Sequence, residues 1–181
     1  MYSLGRIIDE LMEKEDIKIE DIPNIDLYMD QVLTLFDKCF PYNYGEQELT
    51  KTMINNYAKG GIIKPAVKKK YNKEHILMII MICILKRNIS LSEIKDAVDM
   101  AISNEENSQE KVIELEKVYK IFLDKKNIMN EITRSQLENI LSKFREDDII
   151  IQENKMLDVL ILCYYSNILS EAARAIIRGE E

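Results

Sequence analysis

Residues that interrupt regular secondary structure are scarce in this sequence. Its 181 residues include five glycines, three prolines and no tryptophan. Turns depend on glycine and proline, and an all-β sandwich needs a turn about every ten residues. The scarcity argues against all-β and loop-rich architectures, so we predict an all-α fold class.

Cysteine and histidine are also scarce, with three cysteines and one histidine. Cys39, Cys83 and Cys163 are widely spaced among apolar neighbours, as is typical of buried free thiols in a reducing compartment. No cysteine pair has the spacing of a metal site, and His75 is the single histidine. We therefore expect a cytoplasmic protein with no metal and no cofactor.

Long apolar runs are missing as well. The longest uninterrupted one, residues 76–85, has ten residues, whereas a membrane span needs about 20. The N-terminal residues mix charge with helical periodicity and show no cleavage site of a signal peptide. We predict a core helix at 76–85, no membrane association and no export.

Groups of residues that perform catalysis are not evident either. His75 lies at the start of a predicted helix, where histidine is more often a capping or phosphate-facing residue than a base. The carboxylate pairs at 105–106 and 147–148 lie in polar links, where solvated charge is the simpler explanation. The glycines at 60–61 lack the spacing of a phosphate-binding loop. We expect the protein not to be an enzyme.

Helical periodicity is what the sequence does have. Apolar residues recur every three or four positions, and capping signals delimit the segments. The predicted helices are residues 4–15, 23–40, 50–59, 72–86, 90–102, 109–126, 133–144 and 154–178. Residues 62–71 are predicted to form a small hairpin, and the polar stretch 104–109 is the best candidate for a linker.

Charge is distributed unevenly along the chain. The net charge is −7, yet residues 51–95 hold ten Lys or Arg against two Glu, a balance of +8, while the remainder carries −15. A compact basic segment can bind a polyanion, because screening over about 8 to 10 Å makes local charge more important than the total. A solvated lysine surface is the alternative.

The short helix predicted at 50–59 has two different sides. On a wheel of 100° per residue, its apolar residues separate completely from its polar ones. The polar side consists of Lys51, Thr52, Asn55, Asn56 and Lys59. Lysine and threonine suit phosphates, and asparagine can pair with N6 and N7 of adenine in a major groove. This side favours a nucleic-acid contact, with an ordinary polar surface as the alternative.

Three segments in this region follow a known pattern. In order, MINNYAKGGIIKP, KKKYNKEHI and LKRNISLSEIKDAV resemble the DNA-binding domain of MerR-type regulators, a winged helix-turn-helix. Residues 61–65 match the family's Gly-Leu-Leu-x-Pro, and 70–71 match its basic-Tyr pair. Asn55 and Asn56 stand at two positions that touch DNA in that family, while Met53 replaces its Thr.

A closer resemblance covers residues 5–105. IPNIDLYMDQV, LTKTMINNYAKGGIIKP and KKKYNKEHI together resemble a bacterial family described only as a domain of unknown function and regarded as winged-helix regulators. The resemblance implies a MerR-like winged helix-turn-helix domain with N-terminal helices at 1–104, with a small β-hairpin wing. A helical region at 105–181 for dimerisation or partner binding would follow.

The basic segment and the resemblance together predict a DNA-binding transcriptional regulator. Helix 50–59 would read the major groove of double-stranded DNA, and the lysine-rich wing would grip phosphates. The predicted contacts are Lys51, Thr52, Asn55, Asn56, Lys59, Lys64, Lys68, Lys69, Lys70 and Tyr71. The apolar last helix predicts a homodimer assembled through residues 109–181. The alternative is a non-catalytic helical protein whose basic module binds an acidic protein partner.

Overall fold

The computed structural model describes residues 4–102, 108–146 and 155–180, and these residues are mostly helical. The helices are α1 (Leu4–Met12), α2 (Met29–Cys39), α3 (Lys51–Lys59), α4 (Lys73–Leu85), α5 (Leu91–Ile102), α6 (Ser108–Glu146) and α7 (Lys155–Arg178). Two short strands, β1 (Leu27–Tyr28) and β2 (Lys70–Tyr71), pair antiparallel. The prediction of a mainly helical protein is confirmed.

Capping residues set the helix starts where the sequence predicts them. The Thr50 hydroxyl accepts a hydrogen bond from the Met53 N–H at 3.2 Å and so begins α3. Ser90 and Glu93 form a reciprocal capping box at α5, with bonds of 2.7 and 3.3 Å. Such caps satisfy backbone groups that would otherwise lack partners at a helix end.

The helix predicted at 23–40 is wrong over its first six residues, 23–28. That segment instead follows a 3-10 turn at Ile19–Asp21 and contains β1, so α2 begins only at Met29. Strand pairing with β2 outcompetes the helix start suggested by Pro23, because it buries Leu27 against the core. The Gln31 side chain accepts from the Tyr28 N–H at 2.8 Å and marks the new start.

The C-terminal region contains one long helix where two were predicted. Helix α6 runs unbroken over 39 residues, so the capping box proposed at Thr133 and Gln136 lies inside it and is wrong. No glycine or proline occurs between residues 108 and 146, and nothing therefore interrupts the backbone ladder. Gly179, with φ of +69°, follows α7 as predicted.

The predicted hairpin at 62–71 is smaller than expected. The Lys70 N–H donates to the Val67 carbonyl at 2.9 Å and closes a two-residue turn at Lys68 and Lys69. Strand β2 then pairs with β1 through Leu27 with Tyr71 and Tyr28 with Lys70. The sheet partner thus comes from the segment ahead of α2.

The first of two compact units is Lys14–Asp124. Its centre is α4, in which Ile76, Leu77, Ile79 and Ile82 are almost completely buried, and each such residue contributes about 1.5 to 3 kcal/mol of burial free energy. The Tyr119 hydroxyl, also buried, donates to the Ile17 carbonyl at 2.7 Å.

The second unit consists of Met1–Glu13 with Lys125–Glu181. Ile8 of α1 is buried there against Met12, Leu137 and Leu162. The Arg134 Nε donates to the Asp9 carboxylate at 2.8 Å. Most of the predicted linker at 104–109, and Asn154 as cap of the last helix, lie outside the described residues. The domain boundary at 104 stays a prediction.

The sequence predicts three buried cysteines, but only one of them is buried. Cys83 is buried in α4, and burial raises the pKa of its thiol to about 11. Cys39 and Cys163 are exposed, so the prediction of burial is wrong for both.

Candidate nucleic-acid interface

Helix α3 has the two sides that the helical wheel predicts. Ile54 and Tyr57 are buried, and burial raises the pKa of the Tyr57 phenol to about 12. The predicted polar residues Lys51, Thr52, Asn55, Asn56 and Lys59 are all exposed. The Ile62 N–H donates to the Tyr57 carbonyl at 2.9 Å and fixes the helix end. The helix therefore presents its polar side from a rigid base.

An acidic residue that the sequence analysis missed belongs to this surface. The Lys51 ammonium lies 2.7 Å from the Asp30 carboxylate, and both side chains are exposed. An exposed pair of this kind contributes at most about 1 kcal/mol to stability. The sequence offers one signal for this ion pair, because Asp30 is an acidic residue in the first turn of α2, the helix before α3.

The start of α2 brings α3 and β2 together. The Lys70 ammonium lies 5.3 Å from the centre of the Tyr28 ring, within range of a cation-π contact. Tyr28 and Asp30 are two residues apart, a backbone distance of at most about 7 Å. Lys51 and Lys70 therefore both contact the same short segment of chain, residues 28–30.

Lys68 and Lys69 form the exposed turn just before β2, which we call the lysine turn. Their φ angles are 51° and 63°, in the left-handed region. Two-residue turns with two positive φ angles favour asparagine and glycine, because a side chain costs about 1 to 2 kcal/mol per residue in this conformation. The turn therefore carries two adjacent lysines in a backbone conformation that disfavours any residue with a side chain.

Two predicted contact residues interact with buried groups. Lys64 lies 3.3 Å from the carboxylate of Glu74, which is buried at the start of α4. Tyr71 is buried, with its ring edge-on to His75 at 5.5 Å between centres. Tyr71 therefore packs in the core, and its role as a DNA contact stays a prediction.

His75 is the capping residue that its position predicts. Its Nδ1 accepts from the Asn72 N–H at 3.2 Å, and its Nε2 lies 3.1 Å from the Lys64 carbonyl, to which it can donate. His75 thereby ties the start of α4 to the segment that leads into the lysine turn. Within the described residues, no group of three His, Cys, Asp or Glu side chains could hold a metal ion.

The loop that leads into α3 is clamped from the end of α4. The Arg87 guanidinium lies 2.9 Å from the Glu46 carboxylate and donates to the Pro41 carbonyl at 2.9 Å. Burial is the largest single influence on the pKa of Glu46 and raises it, but the hydrogen bonds from Arg87 and the Asn43 N–H, with the positive charges of Arg87 and Lys86, together lower that pKa. The loop is held by a charged group that is ionised at neutral pH.

Helix α7 carries an uncovered apolar surface. Met156, Val159, Leu160, Tyr164, Ile168 and Leu169 are all exposed on it. By length and composition alone, α7 could also cross a membrane, and it is the single such helix in the part of the chain that is described. Large exposed apolar patches usually mark a contact with another molecule.

These features define a small helical domain with a basic surface around one two-sided helix and a lysine turn. Residues 17–122 match the family model of a domain of unknown function, DUF1836, and the chain belongs to this family. The match includes all ten predicted contact residues. Neither the curated proteins nor the solved structures contain a match to the chain.

Proposed function

We propose that the protein is a cytoplasmic, DNA-binding transcriptional regulator of the MerR-like winged helix-turn-helix type. The observation that carries the proposal is the exposed polar side of α3, where two lysines, two asparagines and a threonine lie opposite the buried Ile54 and Tyr57. In this function Asn55 and Asn56 read base edges, while Lys51, Thr52 and Lys59 contact phosphates.

The lysine turn supports the same function. A turn that holds Lys68 and Lys69 at positive φ bears a conformational cost that glycine would avoid. Phosphate binding offsets that cost, because each lysine placed on DNA releases condensed counterions. In this function the turn and β2 form the wing.

The order of elements is also the one that a winged helix-turn-helix requires. Helix α2 precedes α3, and β2 pairs with the strand β1 directly ahead of α2. Lys51 of α3 and Lys70 of β2 both contact the start of α2, so this proposal has a duplex on α3 also meeting the wing.

We also propose that the protein acts as a homodimer. The uncovered apolar surface of α7 needs a partner, and a second copy of the chain offers the same surface in return. Two half-sites about one helical turn apart would increase both affinity and specificity for DNA.

Selection of genomic fragments tests the DNA-binding proposal. The purified full chain is mixed with sheared bacterial DNA at near-physiological salt, and bound fragments are sequenced. We expect a limited set of enriched sites with related half-sites. Recovery without enrichment, or no recovery at all, would refute sequence-specific binding. No recovery at all would favour the alternative, an acidic protein partner for the basic module.

A further inference from the structure

An open groove of about 850 Å³ lies in the unit Lys14–Asp124. Three parts of the chain line it: the 3-10 turn with its flanking residues, the first residue of α4, and the stretch of α6 from Glu116 to Asp124. None of the proposed DNA contacts lines it. Its volume falls within the range of about 300 to 1,000 Å³ that is usual for small-molecule sites.

The walls of this groove are fixed in place. Ile17, just ahead of the 3-10 turn, is almost fully buried, and its carbonyl accepts the Tyr119 hydroxyl at 2.7 Å. The Lys73 ammonium lies 3.2 Å from the Glu116 carboxylate and ties α4 to α6. A site with such walls is largely formed before a ligand arrives, and binding then costs little ordering of the protein.

The lining combines an apolar floor with a charged rim in which lysines outnumber acids by one. Ile22 is buried, and Ile19 and Leu123 are half-buried beside it. The rim holds the lysines Lys18, Lys73, Lys117 and Lys120 and the acids Glu20, Glu116 and Asp124. These lysines come from three separate parts of a chain whose net charge is −7. The four lysines exceed the three acids by one, so the rim carries a small positive excess that an anion would complement.

We propose that this groove binds a small organic anion whose apolar body lies on Ile19, Ile22 and Leu123. Its carboxylate, sulfonate or phosphate group contacts Lys18 and Lys120 at the rim. The ammonium of Lys73 already contacts Glu116 and holds the wall. The site is independent of the DNA-binding proposal, because it shares no residue with that surface.

Two fluorescent probes with the same ring system test the site. The anion 8-anilinonaphthalene-1-sulfonate carries the required charge, and N-phenyl-1-naphthylamine has the same apolar body without it. Each is titrated into the full chain and into the double variant Lys18→Ala/Lys120→Ala. We expect the variant to weaken binding of the anion by about five- to tenfold, as two partly exposed charge contacts would. Binding of the neutral probe should stay the same.

The matched control is Lys125→Ala/Lys143→Ala, which removes the same charge from exposed positions of α6 outside the groove. We expect it to bind the anion as the unchanged chain does. Equal losses in both double variants would reduce the effect to net charge and overturn the proposal.

A second measurement needs no variant. Backbone amide NMR shifts of the unchanged chain are followed as the anion is added. Shifts at residues 18–24 and 116–124 would support the site. Shifts confined to α7 would show that the anion uses only the exposed apolar surface there, and would refute the proposal even if a variant failed to fold.

Discussion

Asn55 and Asn56 are neighbouring amides on the exposed side of α3. If they read bases, Asn55→Ala and Asn56→Ala should each cost about 1 to 3 kcal/mol on a selected site and far less on random DNA. Fluorescence anisotropy titrations with both duplexes measure the difference. Equal losses on the two duplexes would rule out a base-reading role.

Asp30 opposes the basic surface in which it lies. Its carboxylate contacts Lys51, and it would repel a nearby phosphate. We expect Asp30→Asn to strengthen binding to every DNA sequence by up to about 1 kcal/mol, because it releases Lys51 and removes a negative charge.

The matched control is Asp37→Asn, the same charge change near the other end of α2. It should raise affinity much less when both variants are titrated at the same salt concentration. If both raise affinity equally, the position of Asp30 has no special effect.

Single residues show where sequence reasoning succeeds and where it stops. The exposed side of α3 could be predicted, because helical periodicity decides which side faces the core. The contacts of Lys51 with Asp30 and of Lys64 with Glu74 could not, because each joins residues on different elements. The burial of Tyr71 was missed for the same reason, since it depends on pairing with β1.

At the scale of elements, the lysine turn permits a test that separates charge from backbone strain. Both Lys68→Ala/Lys69→Ala and Lys68→Gly/Lys69→Gly should weaken binding to all DNA and reduce the salt slope by about 1 per lost phosphate contact. The salt dependence of the affinity measures this slope. An unchanged slope in both variants would mean that the lysines serve only as a solvated turn.

The two variants should differ in stability although they lose the same charges. Both φ angles are positive, so the glycine variant should be more stable than the alanine variant by about 1 kcal/mol per residue. Urea unfolding of each variant checks this. Equal midpoints would contradict the strain that we assign to the turn.

Helix boundaries could be predicted where local chemistry sets them. Thr50 and Ser90 each satisfy a helix start with their own side chains. The segment at 23–28 could not be predicted, because its strand depends on a partner more than 40 residues away. The sequence analysis wrongly divided α6 into two helices, because a capping-box sequence inside a helix has the same residue types as one at a helix start.

At the scale of the whole molecule, the apolar surface of α7 predicts the oligomeric state. We expect sedimentation of the full chain at tens of micromolar to give a dimer. Leu160→Glu/Tyr164→Glu places charge on two exposed apolar positions and should give a monomer, because burying unpaired charge in an interface is costly.

Ser166→Glu is the control for the single variant Tyr164→Glu, because it adds the same charge at an exposed polar position about 160° around the helix from Tyr164. It should stay dimeric. A monomer for the unchanged chain would refute the homodimer, and recovery with lipid vesicles would instead support the membrane contact that the composition of α7 permits.

The hydrogen bond between Tyr119 and Ile17 also bears on how the chain is made. Tyr119 is synthesised 102 residues after Ile17, and at about 5 to 20 residues per second the delay is about 5 to 20 seconds. During that time Ile17 has no partner on α6, and the apolar surface that α6 later covers stays exposed. A truncated chain that ends before Tyr119 would keep this exposure permanently. We therefore expect such nascent chains to be retained by chaperones, and release to follow the emergence of α6 from the ribosome.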